Sequence, residues 1–186
     1  MRKLQMRMSV SVDGFVAGAD GTANWILKSS DEISKAWAVA KCWEAGVHIM
    51  GRKSFESMAA YWPTSTDPFA APMNEIPKAV FTQKGFNGVD AGPTCWTQAR
   101  IFDGNLAEGI QTLKAEAGNP IMAIGGAGFM RSLIATGLID EFILVTHPII
   151  LGAGLPIFDG LNMPLDLKLN EVQAFPGGIV AHIYSK

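Results

Sequence analysis

Short apolar blocks separated by glycine, proline and small polar residues run along the chain, and they read alternately as strands and helices. Residues 4–12 are predicted to be extended, with Asp13-Gly14 breaking the run and a brief apolar return at 15–18. A turn-rich loop over 19–22 leads to Trp25. Ser29 and Glu32 stand at capping-box spacing ahead of a helix that runs to about Glu44. A strand over 47–50 is followed at once by Gly51-Arg52-Lys53-Ser54 and by a second helix beginning near Phe55. Residues 61–74 read as a surface loop, 78–82 as a buried strand and 105–117 as a third helix. The strand at 121–124 runs directly into Gly125-Gly126-Ala127-Gly128 and a fourth helix over 129–135. A strand over 140–147, an irregular stretch over 148–155 and a hairpin pairing 165–173 with 179–184 complete the pattern.

This alternation predicts an α/β fold: a mixed, mainly parallel central sheet with helices on both faces, edged by the antiparallel C-terminal hairpin. There is no internal repeat and no dividing linker, so residues 1–186 are expected to form one domain. With 48% hydrophobic and 17% charged residues the chain has ample material for a core, which argues against disorder. A net charge of −2 without a Lys/Arg stripe excludes sequence-independent nucleic-acid binding. The N-terminus lacks the apolar stretch of a signal peptide, and no run reaches membrane-spanning length, so a cytoplasmic protein with no membrane partner is expected. Cys42 and Cys95 are far apart, form no CxxC pair and read as reduced thiols. His48, His147 and His182 are scattered through apolar strand patterns and read as structural, with no metal site.

The chemistry concentrates at the two strand–glycine–helix junctions, Gly51–Ser54 and Ile124–Phe129. The first amides of a helix lack intrahelical partners and, with the helix dipole, make an anion site that glycine lets a phosphate approach closely. In an open α/β sheet, ligands lie beyond the carboxyl ends of the strands, where both junctions sit. Either junction alone is equally compatible with a tight turn. Arg52 and Lys53 shift the balance, because cations in a first helical turn oppose the dipole and a bound phosphate resolves that conflict. Arg52 suits a bidentate contact to a 2′-phosphate and so favours NADPH over NADH.

Together with SVDGFVAG, the Trp25 loop, IMGRKSFESM, AVFTQK and IMAIGGAGFMRSLIATGLIDEFILVTHPIILGAG, these junctions make the chain resemble the dihydrofolate reductase-like superfamily. Within it, the riboflavin-biosynthesis reductase domain is the nearest resemblance. That domain reduces a ribosylaminopyrimidine phosphate with NADPH. The resemblance implies that Ser9 and the loop from Ala17 to Trp25 border the nicotinamide. It implies that Gly51, Arg52, Lys53 and Ser54 hold the adenosine-side phosphates, with Thr82, Gln83 and Lys84 beside the adenosine ribose. Ile124, Gly125, Gly126, Ala127, Gly128 and Phe129 would wrap the pyrophosphate. Thr146 would floor the substrate pocket, and Trp25, a further substrate-side residue in the closing loop, would pack against the nicotinamide or simply anchor the loop. Asp31 is the candidate proton donor or substrate-orienting acid, with Glu32 in contention and a helix-capping role as the alternative. Asp13 is expected to fix its turn.

The implied activity is NADPH-dependent reduction of a small heterocycle. Dihydrofolate reduction and non-catalytic nucleotide binding remain as alternatives. A phosphoribosyl substrate needs a further cationic clamp, for which only Lys28 and Arg131 are at hand. Relatives of this kind are often homodimers, and the 143–150 segment and the terminal hairpin are the expected interface.

Overall fold

The structure is a computed structural model that describes residues 1–89, 94–161 and 163–186. The chain runs β1 (Leu4–Ser11), β2 (Phe15–Gly18), α1 (Ile26–Ser29), α2 (Glu32–Trp43), β3 (Val47–Gly51) and α3 (Arg52–Tyr61). A 3₁₀ turn (Trp62–Thr64), α4 (Ala70–Glu75), β4 (Lys78–Phe81), β5 (Arg100–Phe102), α5 (Leu106–Ala115), β6 (Ile121–Ala123) and α6 (Ala127–Ala135) follow. β7 (Glu141–His147), β8 (Gly154–Pro156), β9 (Lys168–Ala174) and β10 (Val180–Ser185) complete it. Among the described residues, one sheet has the order β5-β4-β3-β6-β1-β7-β10-β9, and β2 pairs with β8 in a separate two-stranded ribbon. The pairs from β5 to β7 are parallel, whereas β10 runs antiparallel to both β7 and β9. The mixed, mainly parallel sheet with an antiparallel hairpin is therefore present as the apolar pattern implied.

Strand alternation divides the core in two. On one face Leu4, Met6, Met8 and Val10 of β1 pack with Ile110 and Leu113 of α5 and Met130 and Leu133 of α6. On the other, Met50, Met122, Ile143 and Val145 pack with Cys42 of α2, Phe55 and Ala59 of α3 and Met73 of α4. Most of these side chains are fully buried, so truncating one to alanine costs about 2–5 kcal/mol.

The structure departs from the pattern in several places. Helix α3 starts at Arg52, immediately after the strand, so the Gly51 junction is tighter than expected. The 61–74 stretch carries a 3₁₀ turn and α4, in which Pro72 occupies the first turn, where its missing N–H costs nothing. β5 and β8, three residues each, are too short to leave a periodic trace. Cys42 and Cys95 are free thiols. No helix among the described residues is long and apolar enough to cross a membrane.

Candidate functional site

β3 and β6 are parallel neighbours, with Ile49 opposite Ala123, so their glycine junctions emerge side by side at the carboxyl edge of the sheet. The Ile124 amide donates to the Ile49 carbonyl at 3.0 Å, and the Gly126 amide donates to Ser54 Oγ at 2.9 Å. The two helix starts are thus tied together through a side chain. Gly125 has φ +125°, where only glycine is unstrained, and a Cβ there would come within 3.0 Å of Ser54. At Gly51 a Cβ would meet Phe129 Cβ at 3.1 Å, so this glycine serves packing: Phe129 sits over it and against Phe81.

Capping divides the four helices of nine or more residues, while the short α1 and α4 also lack a side-chain cap. Asp31 caps α2 and Asn105 caps α5 through side-chain oxygens, and each of those helices carries an acid in its first turn. Helices α3 and α6 have neither a side-chain cap nor an acid there. Their first amides are left to an external acceptor, which is the arrangement an anion site requires.

Both starts open on a cleft of about 790 Å³. Ser9, Ala17, Lys53, Ser54 and residues 124–127 line it. Beyond this polar end the cleft becomes apolar and aromatic, walled by Trp37, Met58, Trp62, Phe69, Phe175 and Ile179. Glycines that hold open a cradle, uncapped amides beside it and an apolar chamber at its end suit a dinucleotide of which one end is phosphorylated and the other flat.

Other expected residues lie elsewhere. Arg52 donates from Nε to Glu56 at 2.8 Å and from Nη1 to the Gly85 carbonyl at 3.4 Å, with its guanidinium 5.1 Å from the Phe86 ring centre. Thr82 accepts from the Lys84 amide and donates to the Lys84 carbonyl in the same segment. Arg52 and Thr82 therefore both engage the 82–86 segment and do not line the cleft. Gly128 faces open space on the first turn of α6.

Thr146 does not floor the cleft. Its neighbours Val145 and His147 do, because a strand presents alternate residues to each face and Thr146 belongs to the other. Trp25 also stays out of the cleft, 7% exposed, with its ring edge-on to His147 at 5.3 Å, where it anchors the loop. Asp31 is corrected as well. One carboxylate oxygen accepts from the Ile33 and Ser34 amides and the other from Gly177, at 2.7–2.9 Å. These bonds hold its pKa below the ordinary carboxylate value, so it caps a helix and pins the terminal hairpin as an anion rather than giving up a proton. The capping box pairs Asp31 with Ser34, not Ser29 with Glu32. Asp13 fixes more than its own turn: it accepts from Ser11 Oγ and from the Leu151 and Gly152 amides.

Two cleft residues escape the motif-based reading. His147 shares a hydrogen bond of 2.8 Å between Nδ1 and Ser29 Oγ, and burial, helped by nearby Arg7, pushes its pKa down to about 4. Arg7 projects from β1, the strand between β6 and β7, into the apolar part of the cleft. Its Nη1 lies 3.9 Å from Cys42 Sγ, its Cζ lies 5.6 Å from the Phe69 ring centre, and its buried Nε has no partner. A signal for it exists in the sequence: Gln5, Arg7, Ser9 and Ser11 alternate with Leu4, Met6, Met8 and Val10, giving a central strand one polar face.

Known proteins share this architecture. The chain matches the RibD C-terminal domain family over residues 2–181. It is 29% identical over 183 residues to the uncharacterized protein YyaP of Bacillus subtilis, covering 98% of this chain and 94% of that one. It is 26% identical over 176 residues to the riboflavin biosynthesis protein RibD of Corynebacterium ammoniagenes, covering 91% of this chain but 49% of the relative. Among solved structures, a putative riboflavin biosynthesis protein from Shewanella sp. PV-4 superposes with a TM-score of 0.77 at 20% identity, over 98% of both chains. RibD of Acinetobacter baumannii gives 0.70 at 18% identity, over all of this chain and 58% of that one. The fold is thus that of the RibD reductase domains, which is dihydrofolate reductase-like, and the chain belongs to the RibD C-terminal domain family, a family of reductases that use a nicotinamide cofactor.

Proposed function

We propose that this protein is an NADPH-dependent reductase of a small heterocyclic substrate, of the reaction type of 5-amino-6-(5-phosphoribosylamino)uracil reductase, and that it works as a homodimer. The observation that carries this reading is the pair of uncapped helix starts, tied by Ser54 to Gly126 and opening on one cleft with an apolar far end. Lys53, Ser54 and the first turn of α6 hold the phosphates, and Arg52 meets the 2′-phosphate at the neighbouring 82–86 segment. Bound there, the dinucleotide supplies a hydride for an electrophilic imine or carbonyl carbon. Trp37, Phe69 and Phe175 exclude water around that carbon, and Ala17, Gly21 and Ala23 bring the 17–25 loop against the cleft. The accompanying proton comes from water, because the Asp31 carboxylate is engaged elsewhere and the Asp67 carboxylate in the cleft pairs with Lys35 at 3.8 Å.

The dihydrofolate alternative is disfavoured because, among the described residues, Asp31 is engaged in capping and Asp67 is paired with Lys35. NADPH consumption, followed by absorbance against a panel of pterins, pyrimidines and carbonyl compounds, tests the proposal. Turnover of at least one panel member is expected. Tight NADPH binding with no turnover across the panel would instead make the chain a nucleotide-binding module.

A further inference from the structure

Arg7 lines the aromatic end of the cleft without a charged partner among the described residues. A guanidinium among apolar groups is stable only when its donors find partners, preferably an anion. Among the described residues no carboxylate pairs with Arg7, and its sole protein hydrogen-bond acceptor is the weak one of the Cys42 thiol. The other cleft cations are differently placed: Lys35 pairs with Asp67, and Lys53 stands at the start of α3 on the nucleotide side. Nor is a second clamp available. Lys28 is exposed on α1, and Arg131 donates from Nε to the Pro156 carbonyl at 2.8 Å, tying α6 to β8.

We infer that Arg7 anchors a single carboxylate of a flat, apolar substrate, whose ring lies among Trp37, Phe69, Phe175 and Ile179. One planar guanidinium matches one carboxylate through two parallel bonds. A phosphate dianion calls for a second cation, and Lys35 is paired with Asp67, so a carboxylate is the better match to Arg7 alone. The substrate class, a carboxylated aromatic heterocycle, rests on the reductase reading; the carboxylate site itself can be tested without nucleotide.

The test is calorimetric titration of the full-length protein with 2-naphthoate, 2-naphthamide and 2-naphthyl phosphate, for wild type, Arg7→Met and Arg7→Lys. Naphthoate is expected to bind at least about tenfold tighter than the amide, and no weaker than the phosphate. Arg7→Met should erase the acid-over-amide preference, and Arg7→Lys should keep only part of it, since an ammonium lacks the paired donors. A fold-independent readout uses wild type alone: both ligands bury His147 alike, but only naphthoate neutralises the field of Arg7, so the imidazole NMR titration should lie higher with bound naphthoate than with bound amide. Equal binding of acid and amide, a phosphate preferred over the acid by more than about tenfold, or a His147 titration that is the same with both overturns the inference. NADPH titration separates the two readings. Nucleotide binding without acid preference removes only the Arg7 site, whereas acid preference without nucleotide binding removes the reductase.

Discussion

Acidification should weaken this fold well before its carboxylates are protonated. His48 and His147 are 0% and 2% exposed, and burial is the main cause that lowers their pKa values from 6.5 to about 3 and about 4. Below pH 6.5 the unfolded chain therefore takes up protons that the folded chain refuses, and stability falls as pH falls from 6.5 toward those folded-state values. At about 1.36 kcal/mol per pH unit, each histidine costs about 2 kcal/mol between pH 7.5 and 5, and the two together about 4 kcal/mol. The carboxylates of Asp13, Asp20 and Asp31 are shifted the other way, below 3.8, so the stability they contribute is lost only below that value and outside this window. Urea unfolding at the two pH values measures the difference. With a slope of about 2–3 kcal/mol/M the midpoint should drop by about 1.3–2 M in wild type, and by about half as much in His48→Gln. A midpoint indifferent to pH, or a His48→Gln shift as large as that of wild type, would refute the reasoning.

Other perturbations test the junctions and surfaces. Gly125→Ala should cost about 1–3 kcal/mol through backbone strain and contact with Ser54, whereas Gly128→Ala should stabilise α6 by about 0.5–1 kcal/mol; urea midpoints distinguish them. If Gly128 borders the pyrophosphate, its alanine variant will also bind NADPH more weakly, and unchanged affinity would remove it from the phosphate contacts. Asp31→Asn should lower the urea midpoint by loosening the α2 cap and the hairpin turn, while leaving the pH profile of turnover unmoved; a displaced profile would restore Asp31 as a proton donor. β9 is exposed along its length and leaves a sheet edge open, so sedimentation should find a dimer that Leu169→Lys with Val172→Lys converts to a folded monomer.

The parts of this structure legible in the sequence are the local ones. A strand running into glycine and then a helix needs no distant partner to be recognised, and both glycine junctions and the terminal hairpin are of that kind. What sequence left hidden depends on faces and long-range contacts. The strand over 141–147 is covered on both sides, so its apolar run gives no parity, and Thr146 rather than Val145 and His147 is assigned to the cleft. His147 looks like any core histidine until its bond to Ser29, 118 residues away, comes into view. Asp31 looks catalytic until the Gly177 amide, 146 residues away, takes its second oxygen. Arg7 was within reach, since the polar alternation along β1 marks it, but that signal lies in strand parity and in no motif.

The central claim is that the two glycine junctions form a nicotinamide dinucleotide phosphate site, and nucleotide titration by intrinsic tryptophan fluorescence tests it most directly. Trp37 and Trp62 line the cleft and report on its filling. Micromolar binding of NADPH, much weaker binding of NADH, and a loss of about tenfold in NADPH affinity alone on Arg52→Ala are the predicted results. Failure of both nucleotides to bind would mean that the junctions only turn the chain, and would contradict the account.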